Sequence, residues 1–293
     1  VLRYFLAVAR EQSISGAAEL LHITQPTLSR QLMDLEEELG AKLFIRGNRK
    51  ITLTEKGMLL RKRAAEIIDL VGKTELEFSA GEQSITGDVY IGGGETDAMG
   101  LIARVAKRLQ EDYPQIRYHL FSGNADDVTE RLDKGLLDFG ILIEPADVKK
   151  YDFLRLPATD TWGVLMRKDS HLAERDVIRP QDLWNLPLIT SRQTLVSSEF
   201  SKWFRKDFGE LNIVTTYNLL YNATLMVKEG LGYALCLDKL VNTGDDSELC
   251  FRPLNPGMDS RLDIVWKKYQ VFSNASQKFL QRLQEEFTGE NQE

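Results

Sequence analysis

Gln25, Thr27, Ser29, Arg30 and Gln31, with Thr24 and Pro26 just ahead of them or among them, carry the donors and acceptors that DNA asks for. Arg pairs bidentately with guanine, Gln with adenine, and Ser or Thr reaches phosphate. Leu28, Leu32, Leu35 and Leu39 interleave with these residues at steps of 4, 3 and 4, a single helical stripe. The pattern predicts one helix with a buried leucine face and an outward face of Gln25, Thr27, Ser29, Arg30, Gln31 and Asp34. A helix of that kind suits a major groove. It also fits an ordinary helical hairpin that binds no DNA, so the helix needs support from its surroundings.

A second basic cluster follows. Arg46, Arg49 and Lys50 surround the turn signal Gly47-Asn48, between the apolar run Leu43-Phe44-Ile45 and the alternating stretch Ile51 to Thr54. This reads as a small hairpin whose basic tip reaches the DNA backbone or minor groove, the wing of a winged helix-turn-helix.

Other candidate chemistry is thinner. Gly92-Gly93-Gly94 closes a predicted strand, but Asp97 stands where a dinucleotide fingerprint needs its third glycine. Gly72-Lys73-Thr74 lacks the glycine a phosphate loop needs at position 67, which is Ile67. The histidines His22, His119 and His171 are dispersed, without an evident Ser or Cys partner, so catalysis has little support. Cys236 and Cys250 are too few for a disulfide framework and their spacing fits no zinc site; Cys236, within Tyr-Ala-Leu-Cys-Leu, reads as a core residue, with a redox pair as the alternative. Thr96 and the cluster Thr190-Ser191-Arg192 follow predicted strand ends. There a guanidinium clasps a carboxylate and the hydroxyls either cap helices or meet a ligand. Glu95 and Asp97 beside them work against a strongly anionic ligand, or select an amine.

These groups must be positioned by two kinds of element. The formal net charge of −7 is unevenly spread: residues 1 to 63 carry +4, the remainder −11. A basic N-terminal module on an acidic body fits DNA contact confined to one end. No stretch approaches a membrane span or a signal peptide, which predicts a cytoplasmic protein. Leu2, Phe5, Leu6 and Ala9 predict a first helix, and Ser15 reads as the cap of a second, with Ala17, Ala18, Leu20 and Leu21 as its contacts. Beyond Thr54, Leu60, Ala64, Ile67, Val71, Thr74 and Phe78 step by 4, 3, 4, 3 and 4, an a/d seam on a long helix. That seam packs either on a second copy or on the protein's own body. A small, polar stretch from Ala80 to Gly87 predicts a hinge. After it the pattern becomes β–α–β–α–β: strands at 89–91, 116–120 and 139–143 with helices at 97–112 and 125–134, which predicts a parallel sheet. Further strands are expected at 162–166, 186–189, 213–217, 233–237 and 261–266, and helices at 198–208, 223–229 and 275–287.

The run Ala17-Ala18-x-x-Leu21, then Thr24-Gln25-Pro26-Thr27-Leu28-Ser29-Arg30-Gln31-Leu32, then Leu35-Glu36-x-x-Leu39-Gly40-x-x-Leu43-Phe44-x-Arg46 and Leu53-Thr54-x-x-Gly57 resembles the N-terminal signature of LysR-type transcriptional regulators. Thr27 departs from it, since the family more often has Ala there. Leu132-x-x-Gly135-x-Leu137-Asp138-x-Gly140-Ile141 and Val227-x-x-Gly230-x-Gly232 resemble pieces of that family's effector domain more weakly. The resemblance implies a mixed fold: a winged helix-turn-helix at 1–57, a dimerisation helix and hinge at 58–86, and a two-lobed α/β effector domain of the type II periplasmic solute-binding class. Lobe I would take 87–160 and 266–293, and lobe II 161–265, with crossover strands near 155–165 and 255–266. It also implies DNA contacts at Thr24, Gln25, Pro26, Thr27, Ser29, Arg30, Gln31, Arg46, Arg49 and Lys50. Effector contacts are implied at Glu95, Thr96, Met99, Ser122, Gly123, Asn124, Ser191, Arg192, Asn222, Leu237 and Asp238.

The resulting expectation is a non-enzymatic transcriptional regulator that binds a double-stranded operator as a homodimer or homotetramer. A small-molecule effector between the lobes modulates it, no metal or other cofactor takes part, and RNA polymerase is a partner if it activates. The alternatives are a solute-binding or enzymatic α/β protein with an N-terminal assembly module, and a cysteine redox-sensing regulator.

Overall fold

The computed structural model describes residues 1–47, 50–79, 85–144, 146, 148–196 and 198–288, in two compact units, 1–81 and 82–293.

In the first unit α1 (Leu2–Glu11), α2 (Ile14–Leu20) and α3 (Gln25–Glu38) precede an antiparallel pair, β1 (Phe44–Arg46) and β2 (Ile51–Leu53), and the long α4 (Glu55–Ser79). Phe5, Val8, Ala17, Ala18, Leu28, Leu32, Leu35, Leu43 and Ala64 form one core. Two expectations shift. Ser13, not Ser15, caps α2, its Oγ accepting the Gly16 N–H at 3.2 Å, because the chain turns helical early enough to seat Ile14 against the core. The α3 stripe ends at Leu35: Leu39 is half exposed, as is Leu20 on α2. Leu39 is the C-cap, and Gly40 (φ +59°) then takes the left-handed turn that lets the chain leave for the wing. Thr24 caps α3 as expected, its Oγ1 accepting the Thr27 N–H at 3.4 Å.

Glu36 ties α3 to the wing. Its buried carboxylate accepts the N–H groups of Leu43 (2.7 Å) and Phe44 (3.3 Å) and pairs with Lys42 Nζ at 2.8 Å. Burial pushes its pKa up, but the Lys42 hydrogen bond and the two backbone N–H groups outweigh burial and hold it below the ordinary 4.5. A depressed carboxylate stabilises the fold fully above its unfolded value and progressively less as pH falls through the folded one. Glu36→Gln should therefore lower local stability at pH 7 by about 1.5–3 kcal/mol, the range for a charged hydrogen bond. It should also flatten the loss of stability below about pH 4.5. Amide-exchange protection of the 36–53 segment at pH 7 and pH 4 checks this; an unchanged acid dependence in the variant would remove Glu36 from the account.

The a/d seam of α4 divides. Ala64 is buried and Leu60 packs on the core, whereas Ile67 (46% exposed) and Val71 (39%) lie open, along with Met58, Leu59 and Leu70. Phe78 lies among side chains outside the described set, as does most of the expected hinge.

In the second unit β3 (Gly87–Gly93), α5 (Met99–Asp112), β4 (Ile116–Ser122), α6 (Ala125–Asp133) and β5 (Phe139–Ile143) build the expected parallel arrangement, β3 pairing with both β4 and β5. β6 (Tyr151–Arg167) then crosses between lobes. Lobe II holds α7 (Pro180–Leu183), β7 (Leu188–Ser191), α8 (Arg192–Val196), α9 (Ser198–Phe204), a 3-10 turn at Phe208–Glu210, β8 (Ile213–Tyr217), α10 (Leu220–Lys228), β9 (Tyr233–Leu237) and β10 (Leu249–Pro253). β11 (Asp259–Lys267) and α11 (Asn274–Thr288) return to lobe I. Strand order runs β4-β3-β5-β11-β6-β9-β7-β8, with β10 on β6.

β6 extends the 162–166 strand into the crossover near 155–165 that the resemblance implies, and both lobes use it: Tyr151 to Thr161 pair with β11, and Trp162 to Leu165 with β9. The expected lobe boundary at 265 also moves. Leu262 and Ile264 are buried in the lobe I core with Phe139, Ile141 and Phe279, so the chain has crossed back by Asp259. β10 escaped notice because its run is short and ends in Pro253, a residue tolerated at a strand's edge or end. The expected helix at 198–208 stops at Phe204, and α10 begins at Leu220, three residues earlier than expected.

Candidate functional site

Two surfaces gather chemistry, one in each unit. On α3, Leu28, Leu32 and Leu35 are buried, while Gln25, Pro26, Thr27 and Arg30 are exposed on the other side and Ser29 and Gln31 half-buried at its margins. Arg30 has no hydrogen bond or ion pair among the described residues. Thr24 and Thr27 bond each other through their hydroxyls at 2.8 Å, so Thr27 is partly committed to the cap. Lys50 is exposed at the wing. Arg49 and the Arg46 side chain lie outside the described residues. The arrangement is a rigid polar ridge beside a hairpin, which can enter a groove without rearranging its core.

In the second unit a cavity of about 100 Å³ opens between the lobes. Its walls come from the segments that follow parallel strands, the region where open α/β sheets place ligands. Lobe I supplies Gly94 and Glu95 after β3, Gly123 and Asn124 after β4, and Ile143 and Glu144 at the end of β5. Trp162 comes from β6. Lobe II supplies Ser191, Gln193 and Thr194, then Glu199 and Phe200, Tyr217, Asn218 and Leu220, and Leu237 and Leu240.

Internal bonds hold these walls. Asn124 caps α6, accepting the Asp127 N–H at 2.9 Å. Ser191 Oγ accepts the Thr194 N–H at 3.1 Å and bonds its hydroxyl at 2.7 Å. Trp162 donates to Ser260 Oγ at 2.9 Å and packs edge-on against Phe200, ring centroids 4.8 Å apart. The Tyr217 hydroxyl donates to the Leu235 carbonyl at 2.6 Å; burial pushes its pKa well above the ordinary value, with Cys236 and the Glu95 charge adding to the effect. Glu95 reaches across the cleft and accepts the Leu220 N–H, at the start of α10, where no side chain caps the helix. Glu144 pairs with Arg155 at 2.9 Å.

Of the expected effector contacts, Glu95, Gly123, Asn124, Ser191 and Leu237 line the cavity. Thr96, Met99, Ser122, Arg192, Asn222 and Asp238 do not. Thr96 is buried and committed: it donates to Asp160 at 2.6 Å and accepts the Ala98 N–H at 3.0 Å. Burial pushes the Asp160 pKa up, and that hydrogen bond works against the rise. Met99 packs on the lobe I core. Ser122, Arg192 and Asn222 are solvent-exposed, so the expected guanidinium clasp is absent from the cavity wall. Asp238 instead accepts the Lys239 N–H at 2.7 Å. Thr190 is fully buried, its hydroxyl without a partner among the described residues. The aromatic wall of Trp162, Phe200 and Tyr217 was missed. The strand-end rule reaches Tyr217 and Asn218 after β8, and Ile143 and Glu144 after β5, had it been applied to every strand.

The cysteines do not face this cavity. Cys236 opposes Gly163 on one side of β6 and Cys250 opposes Met166 on the other, in separate cores. Two strand spacings alone separate them by about 10 Å, and the three-residue offset along β6 adds to this, well beyond the roughly 7 Å that a disulfide spans between Cα atoms. Burial pushes both thiols up, Cys236 most. Among the described residues no group of three His, Cys, Asp or Glu is placed to hold a metal, and no helix is long and apolar enough to cross a membrane.

A winged helix-turn-helix joined to a two-lobed domain with an interlobe cavity defines a ligand-responsive DNA-binding regulator. Residues 1–58 match the model of the bacterial regulatory helix-turn-helix proteins of the lysR family and residues 82–288 that of the LysR substrate binding domain, so the chain belongs to the LysR family of transcriptional regulators. It is 26% identical over 292 residues to the HTH-type transcriptional regulator YvbU of Bacillus subtilis, covering 99% of this chain and 98% of that one. It is 30% identical over 216 residues to BsdA of the same organism, 72% of each. The crystal structure of full-length CbnR complexed with its target DNA superposes with a TM-score of 0.74 at 18% identity, covering 97% of this chain and 98% of CbnR, a likeness of fold.

Proposed function

We propose that this regulator reads a double-stranded operator with the exposed face of α3, chiefly Gln25, Thr27, Ser29, Arg30 and Gln31, while Arg46, Arg49 and Lys50 of the wing contact the backbone. The observation that carries the reading is the division of α3 itself: a leucine stripe buried in the core, and an opposite face left polar and open, with Arg30 uncommitted. The exposed apolar face of α4, with Leu59, Ile67, Leu70 and Val71, supports a homodimer formed through that helix, and a tetramer is the fuller assembly. The interlobe cavity takes a small-molecule effector, whose binding shifts the equilibrium between arrangements that differ in DNA affinity. The protein acts without catalysis and without a metal or other cofactor, in the cytoplasm. RNA polymerase is a partner if the operator contact activates.

Selection of the full-length protein against a random duplex library at about 150 mM salt tests this. The expected result is a two-fold related motif, its half-sites separated by whole helical turns. Recovery of no sequence above bulk DNA would leave the chain without the operator reading and favour an assembly role for the N-terminal unit.

A further inference from the structure

The charge of the cavity wall narrows what the pocket takes, given the reading of it as the effector site. Its charged lining is Glu95, Glu144 and Glu199, with no Lys, Arg or His among the described lining residues. Arg155, which pairs with Glu144, is shared with Asp263 at 2.5 Å, so that pair leaves negative charge in excess. Glu199 has no hydrogen bond or ion pair among the described residues. The start of α10 is a feature of the wall suited to an anion, since its own N-cap residue Leu219 supplies no side-chain cap and the positive end of the helix dipole lies there. That place is already filled, because Glu95 from the opposite lobe accepts the Leu220 N–H. An anionic ligand at that place would have to displace Glu95 and would still face the other carboxylates, with no cation among the described lining residues to offset it. The remaining wall combines neutral polar side chains, Asn124, Ser191, Gln193, Thr194 and Asn218, with an apolar and aromatic part in which Trp162 and Phe200 pack edge-on at 4.8 Å.

We propose that the pocket takes a small organic cation, a protonated amine on an aromatic-sized apolar body. The carboxylates hold the ammonium and the Trp162–Phe200 wall covers the body. Glu95 then has two roles: it closes the anion site at α10 and bridges the lobes with its other oxygen available to the amine.

The test uses three probes that share a body and differ in head group: benzylamine, benzyl alcohol and benzoate, titrated calorimetrically into the full-length protein at pH 7.5. Benzylamine should bind more tightly than either of the others by about 10- to 100-fold, the range that a charged hydrogen bond carries. Glu199→Gln and Glu95→Gln, both able to keep their shape, should pull the amine-to-alcohol ratio toward one. Leu237→Trp, which fills the cavity, should abolish binding of all three. Benzoate binding as tightly as benzylamine, an amine preference unmoved by either Gln variant, or no binding of the amine overturns the cation. Benzoate bound at least as tightly as benzylamine and then lost in Leu237→Trp overturns the cation alone and keeps the cavity as the effector site. Probe binding that survives Leu237→Trp removes the cavity reading as well.

Discussion

Gly57→Ala should destabilise the N-terminal unit by about 3 kcal/mol, the upper part of the usual range for overpacking, although alanine is the better helix former. A Cβ at position 57 would lie 2.1 Å from the Leu43 carbonyl oxygen and 3.0 Å from Leu53 Cδ2. The oxygen cannot give way, because it accepts the Thr54 N–H at 3.0 Å and belongs to a backbone pinned from both sides. Thr54 Oγ1 donates to the Lys42 carbonyl at 2.8 Å and accepts the Gly57 N–H at 2.9 Å, so the start of α4 is locked onto the segment entering β1. Helix propensity works the other way, worth about 1 kcal/mol in favour of alanine, and loses to the clash. Gly72 in the same helix isolates the two effects. A Cβ there meets nothing within 4 Å, so Gly72→Ala should stabilise by about 0.5–1 kcal/mol. Amide exchange across 43–76 in the intact protein reads both variants. Equal, positive effects at the two sites would mean that the wing yields easily and that α4 is not locked to it.

Gly57 marks what sequence could and could not supply. Its place in the signature Leu53-Thr54-x-x-Gly57 was visible; its reason, a carbonyl from a different element, was not. Glu36 is similar. Its place after Leu35 in the signature was visible, but not its burial, which follows because two N–H groups of the wing entrance need an acceptor. By contrast Leu28, Leu32, Leu35 and the Thr24 cap follow from local spacing, as do β3 to β5 and their helices, because period and capping are local properties. The cavity depended on tertiary geometry. Topology alone put Glu95, Asn124 and Ser191 at strand ends. It could not show that Asp160 would claim Thr96, that Arg192 would open α8 toward solvent, or that a strand shared by both lobes would bring Trp162 to the wall.

Arg30→Ala should weaken binding to the selected operator by about 1–3 kcal/mol, or roughly 5- to 150-fold, while bulk DNA affinity changes little. Arg30 lies on the exposed side of α3, three residues from Thr27 and four from Pro26, so the first two turns present a continuous face. Leu28 and Leu32, buried in the core, fix the helix under it. A guanidinium without an intramolecular partner breaks no internal bond on meeting a base, so its loss should register in recognition rather than in folding. Arg30→Lys separates charge from geometry: lysine keeps the positive charge but not the planar fork that matches guanine O6 and N7. If Arg30 reads a guanine, Lys should recover little of the lost affinity, and the loss should vanish on operators already altered at that base pair. If it grips a phosphate, Ala should weaken binding to every sequence alike, Lys should largely restore it, and the slope of log affinity against log salt should fall by about 0.9. Operator and base-substituted duplexes titrated at two salt concentrations distinguish the two. The second result would move sequence reading onto Gln25, Thr27 and Gln31, and leave Arg30 as the residue that sets the depth of α3 in the groove.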